Sequence, residues 1–126
     1  MKKFLFLLVF IPFLAGAQSN TADIAKALNA GNADALGSYF DESIELSILE
    51  EEGIYNKAQA LQKVRKFMTQ YKVTGFAEVH QGASRSSDSQ YVIGNLTTSD
   101  GTFRVYMYLA NTNGKMIIQE FRFDSE

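Results

Sequence analysis

The 126-residue chain contains no cysteine, one proline and one histidine. Without cysteine there is no disulfide framework, no thiol nucleophile, no thiolate metal site and no lipid-bearing cysteine. The proline, Pro12, lies near the start, so nothing later reads as a proline-rich linker. With His80 as the lone histidine, metal-ligating side chains reduce to carboxylates, and no spacing among them reads as a metal site. A serine–histidine–acid set with workable spacing and a glycine-rich phosphate loop are also missing, so no cofactor is expected. Basic excess is absent as well: twelve Lys and Arg stand against fourteen Asp and Glu. That balance gives no support for a nucleic-acid or anionic-membrane partner.

What is present begins with an export address. Two lysines precede an apolar run over 4–14, and the small residues Ala15-Gly16-Ala17 follow. This pattern is a cleavable signal peptide over 1–17. A spanning helix takes about 20 apolar residues, so the run is too short to anchor the chain. Cleavage near Ala17 leaves 126 − 17 = 109 residues with 10 − 14 = −4 charges, once Lys2 and Lys3 are gone. The mature chain, 18–126, is expected as one periplasmic or secreted domain, without membrane insertion, held by packing alone.

Two short helices come first. Asn20 or Thr21 caps one, with Ile24 and Leu28 on its inner side and Gly31 at its end; Asn32 caps the next, with Ala35, Leu36, Tyr39 and Phe40 apolar. SIELSIL then alternates as a strand with one wet face. Glu50-Glu51-Glu52-Gly53 reads as a solvated turn and 54–55 as a very short strand. Asn56 and Gln59 resemble a capping box opening a helix to about residue 70. Ala60, Leu61, Val64, Phe67, Met68 and Tyr71 form its apolar stripe, and its lysines and Arg65 read as a solubilising face. Strands are expected over 73–83, 90–98, 102–111 and 115–123, joined by short turns that force antiparallel neighbours.

Register assigns the faces. A turn at Asp100-Gly101 sets Leu96 opposite Val105. A three-residue loop over 112–114 sets Leu109 opposite Ile117 and keeps Glu120 and Arg122 out of the apolar layer, where each would cost several kcal/mol. The inner face then holds Val92, Leu96, Val105, Met107, Ile117 and Phe121, with Gln119 as its polar group. Ala77 and Val79 join it if Ser84 pairs with Ser89. The outer face holds Phe76, Glu78, His80, Tyr91, Ile93, Asn95, Arg104, Tyr106, Tyr108, Ile118, Glu120 and Arg122.

The order helix–helix–strand–strand–helix–four strands, with YNKAQALQKVRKF entering the third helix, resembles the nuclear transport factor 2-like superfamily, which includes SnoaL-like cyclases and ketosteroid isomerases. With its export signal the chain looks closest to a small secreted bacterial family of unknown function. The resemblance implies a cone-like α+β fold, a curved antiparallel sheet wrapped around three helices from the N-terminal half. It also implies a pocket in the cone and pairing of copies through the outer sheet face. Enzymes of the superfamily place an acid or base inside the cone. Here the expected interior has none and His80 faces outward, out of hydrogen-bonding reach of an enclosed substrate.

The expected function is therefore an exported non-enzymatic binding or interaction domain. Val92, Leu96, Val105, Met107, Ile117, Gln119 and Phe121 are candidates for a small apolar ligand's pocket, in a cone either hollow or filled. Phe76, His80, Ile93, Arg104, Tyr106, Tyr108, Ile118, Glu120 and Arg122 are candidates for a homodimer interface, with the arginines expected to pair with Glu78 and Glu120. The alternative is a SnoaL-like or ketosteroid-isomerase-like enzyme acting on a small hydrophobic substrate.

Overall fold

Asparagine and glycine punctuate the helices. In the computed structural model, which describes residues 20–83 and 88–126, α1 (Asn20–Ala30) stops at Gly31, whose φ is 65°. The Gly31 N–H reaches the Leu28 carbonyl (3.0 Å) and the Asn32 N–H the Ala27 carbonyl (2.9 Å), a Schellman pair. A Cβ on Gly31 would also lie 3.0 Å from that of Val73, so glycine suits both the backbone and the packing. Asn32 caps the one-turn α2 (Ala33–Gly37) by accepting from the Ala35 N–H. Asn56 and Gln59 form the reciprocal capping box of α3 (Lys57–Gln70), as their spacing implies. The export-signal reading falls on residues outside those described.

The strands are β1 (Phe40–Ile48), β2 (Glu51–Asn56), β3 (Val73–Ala83), β4 (Ser89–Thr98), β5 (Gly101–Thr112) and β6 (Lys115–Ser125). They form one six-stranded curved sheet in the order β2-β1-β6-β5-β4-β3. Neighbours are antiparallel except β1 and β6, which run parallel and bring the two ends of the fold together.

Turns and bulges depart from the sequence expectation in informative ways. The β1–β2 turn is Leu49-Glu50, and the acids Glu51 and Glu52 with Gly53 belong to β2. Leu49 takes φ 57°, a left-handed conformation costing a leucine on the order of 1–2 kcal/mol. Its N–H donates to the Phe123 carbonyl (2.8 Å), and its side chain packs against the core, which offsets that strain. The β4–β5 turn is Ser99-Asp100, so Leu96 faces Phe103 rather than Val105. That two-residue shift leaves every face unchanged.

At the β5–β6 hairpin a local preference and a burial preference conflict. Asn113 and Gly114, with φ of 55° and 83°, make a two-residue turn suited to strand twist, not the expected three-residue loop. Continued without interruption, that register would bury Glu120 and Arg122. A bulge between Ile118 and Glu120 restores phase: Leu109 faces Ile118, whereas Tyr108 faces Glu120 and Met107 faces Phe121. The expected extra residue thus lies in the strand as Gln119 instead of in the loop. Consequently Ile118 is buried and Ile117 turns outward, the reverse of their assigned faces.

A second bulge, at Val79 in β3, has the same effect there. Beyond it His80 faces Ile93 on the outer side, as expected, but Phe76 faces Leu96 on the inner side and Ala77 faces Asn95 on the outer. Val79 itself is 55% exposed. Phe76 lies over Gly94, where a built Cβ would be 2.4 Å from its Cζ.

The helices cover the inner face. α1 is tied across it at both ends: Asn20 exchanges hydrogen bonds with the Met116 backbone (2.8 and 3.1 Å), and Asn29 accepts from the Phe76 N–H (2.9 Å). From α3, Phe67 enters a ring cluster with Phe123 (4.6 Å between centroids), Tyr71 (5.0 Å) and Phe103 (5.2 Å). Phe121 continues the cluster, 4.6 Å from Phe123. Burying each such ring contributes about 1.5–3 kcal/mol, the main hold on a cysteine-free chain.

Candidate functional site

The two candidate surfaces of the sheet have opposite character. On the inner side Val92, Leu96, Val105, Met107 and Phe121 are 0–1% exposed and packed into one apolar cluster with the helices. Gln119, at the bulge, instead extends its amide to Asp41 (3.0 Å), and Ile117 lies on the other face. Among the described residues the buried polar side chains are Ser47, Gln90 and Thr98. Thr98 is satisfied locally, accepting from the Asp100 N–H and donating to the Gly101 carbonyl. Gln90 has its Nε2 buried without a partner.

The outer face can be laid out from the pairing. One row crosses the sheet as Gly82, Tyr91, Tyr108, Glu120, Glu45 and Ile54. The next runs His80, Ile93, Tyr106, Arg122, Ser47 and Glu52. A third holds Ala77, Asn95, Arg104 and Asp124. The expected candidates His80, Ile93, Arg104, Tyr106, Tyr108, Glu120 and Arg122 therefore share one surface; Phe76 and Ile118 are inside it. Tyr91, alternating outward in the sequence but absent from the candidate set, joins them.

Aromatic groups define the centre of this face. Tyr91 stacks on Tyr106 (6.5 Å, 25°), and His80 Nε2 is 2.9 Å from the Tyr91 hydroxyl. Burial, then the Glu120 and Tyr108 charges, raise the Tyr106 pKa above its ordinary value, with Arg122 acting in the opposite direction. The phenol therefore stays a neutral donor at physiological pH. Charges flank the rings. Arg104 donates to Asn95 (3.0 Å) and pairs with Glu126 (2.8 Å), while Arg122 is 4.0 Å from Asp124. These pairs differ from the expected ones with Glu78 and Glu120, because the bulge at Val79 removes Glu78 from the face and carboxylates nearer the C-terminus are in reach. On the other flank Asp41, Glu45, Tyr108, Gln119 and Glu120 border a shallow depression of about 400 Å³.

Three helices wrapped by a curved, unclosed sheet with one bare face define a nuclear transport factor 2-like α+β cone. A nuclear transport factor 2-like protein of unknown function from Cytophaga hutchinsonii shares this fold at 11% identity, with a TM-score of 0.61 over 90% of this chain and 92% of that one. The chain belongs to the DUF4783 family, a domain of unknown function, whose model matches residues 21–124. Crystal structures of two DUF4783 family proteins are similar. That from Bacteroides ovatus is 29% identical, with a TM-score of 0.76 over 90% of this chain and 96% of its own. That from Bacteroides fragilis is 27% identical, with a TM-score of 0.77 over 91% of this chain and all of its own (100%). No curated protein matches the chain.

Proposed function

We propose that this protein is an exported, non-enzymatic interaction domain that pairs with a second copy of itself through the outer sheet face. The observation that carries this reading is the contiguous set Tyr91, Ile93, Tyr106 and Tyr108 at the centre of the sheet, on the side opposite the helices. Tyrosine and arginine are enriched in protein interfaces because each combines apolar area with a directed polar group.

The aromatic centre of the face suits a two-fold partner. Symmetric pairing requires a patch complementary to itself. Tyr91, Ile93, Tyr106 and Tyr108 occupy the first two rows, flanked by Glu120 and Glu45 on one side and by Arg104 and Asp124 on the other. A two-fold axis lying along the middle row sets Ile93 and Tyr106 of one copy against the same residues of the other, with Tyr108 over Arg104. A stable contact of this kind buries roughly 800 Å² per partner, an area a six-stranded face can supply.

The packed state of the cone favours this reading over a ligand held inside it, since Val92, Leu96, Val105, Met107 and Phe121, the candidates that do face inward, are at most 1% exposed. A cyclase or isomerase would need an acid or base within hydrogen-bonding distance of an enclosed substrate. His80, the one histidine, is instead on the outer face beside Tyr91. No helix among the described residues is long and apolar enough to cross a bilayer.

Light scattering on residues 18–126 tests the proposal. The expected mass at tens of micromolar is that of a dimer, falling to a monomer in Tyr106→Glu, where a carboxylate would be desolvated at the centre of the contact. A monomer in both proteins refutes it.

A further inference from the structure

We propose that the cleft between α3 and the β1–β2 turn binds a small monocarboxylic acid with an apolar body. This site is separate from both the outer face and the cone interior. Its volume is about 270 Å³, near the lower end of the ~300–1,000 Å³ common for small-molecule sites, which suits a compact acid. Ile48, Leu49 and Phe67 supply the apolar walls, and Lys63, Lys66 and Gln70 stand among the polar groups of the rim.

The charges on the rim are not equivalent. Lys63 is already engaged, paired with Glu51 (3.2 Å) and placed over the Tyr55 ring (4.8 Å from its centroid). Arg65, one position from Lys66 but outside the cleft, is held by Asp34. Lys66 has no ion-pair partner among the described residues. Lys63, Lys66 and Glu51 sum to one net positive charge, which matches a monoanion. An ammonium group beside a wall that excludes water attracts a carboxylate more strongly than an isolated surface lysine does.

Leu49, at the β1–β2 turn, shapes the apolar wall. A leucine at φ 57° is an outlier in a turn that glycine or asparagine would make without strain. The large side chain is kept there against the backbone preference, and it forms part of the cleft wall.

The test is an NMR titration of ¹⁵N-labelled residues 18–126, which contain every residue of the core, with sodium phenylacetate. Phenylacetamide serves as the uncharged control and acetate as the control without an apolar body. The expected result is saturable shifts at amides 48–51 and 63–71, with a Kd of about 1 mM or tighter. Both controls, and phenylacetate with Lys66→Gln, should bind at least about tenfold more weakly. Lys66 is exposed on a helix, so this variant should fold. Shifts that never saturate, or that are matched by phenylacetamide or acetate, overturn the proposal. Undiminished binding to Lys66→Gln does the same.

Discussion

Replacing Gly94 by alanine should destabilise the domain, although the same change in an unhindered strand would help it. A Cβ at Gly94 would lie 2.4 Å from Phe76 Cζ, 2.6 Å from its Cε1 and 2.7 Å from the Ala77 carbonyl oxygen. Carbon atoms pack best at about 3.5–4.0 Å, so the deficit exceeds ~1 Å. One obstacle is a flexible ring; the other is backbone, and rotating Phe76 cannot relieve it. Over-packing of this kind costs about 1–3 kcal/mol, against a backbone-entropy gain of about 0.5–1 kcal/mol. The net expectation is a loss of about 1–2 kcal/mol, equivalent to roughly 5–15 °C in Tm for a domain of this size. Urea unfolding of the wild type, Gly94→Ala, Phe76→Ala and the double variant measures it. The double variant should be less destabilised than the sum of the singles by about 0.5–1 kcal/mol, the part due to the ring. A neutral or stabilising Gly94→Ala, or strict additivity, would mean that Phe76 is not over Gly94 and that the bulge at Val79 is wrongly placed.

Three further outcomes follow from individual side chains. Gln90→Leu should stabilise the fold by about 1 kcal/mol in urea unfolding, because the buried Gln90 Nε2 has no partner; a loss of that size would reveal an amide that is satisfied in solution. Asn56→Ala should cost about 1 kcal/mol through loss of the capping box, read as a lower urea midpoint at unchanged slope. For Tyr106, a folded-state pKa above the ordinary 10.0 means that the folded chain holds the phenolic proton more tightly than the unfolded one. Its contribution is fully present below about pH 10 and is lost as pH rises through the folded pKa, so wild type should lose stability faster than Tyr106→Phe above that point. Parallel stability–pH curves for the two proteins would contradict this.

Features encoded locally were legible in the chain. Asn32, the Asn56–Gln59 pair and Gly31 act within a few residues of themselves, and each does in the structure what its position implies. The outward alternation of Tyr106, Tyr108, Glu120 and Arg122 was legible for the same reason, since burial imposes it across β5 and β6. Balances struck between strands were not. The hairpin at Asn113-Gly114 satisfies its turn preference and its burial preference together only by placing a bulge at Gln119, five residues from the turn, and no residue there announces one. Val79 is a good strand former that becomes a bulge because Phe76 fits over Gly94. Leu49 carries no turn signal, so the acidic run ending in Gly53 drew the turn toward itself. The parallel contact of β1 with β6 joins segments too distant in sequence for periodicity to link. As a result the outer face was legible in outline, the exchange of Ile117 for Ile118 was not, and the cleft beside α3 was invisible until β1, β2 and the helix had been brought together.

The proposed pairing of copies is tested most directly by isotope-filtered NOEs in an equal mixture of labelled and unlabelled residues 18–126. Contacts from the labelled Ile93 methyls to unlabelled tyrosine rings, lost in Tyr106→Glu, are the expected result. Intermolecular contacts confined to α3 or to the β3 edge, or none at concentrations where light scattering reports a dimer, would contradict it.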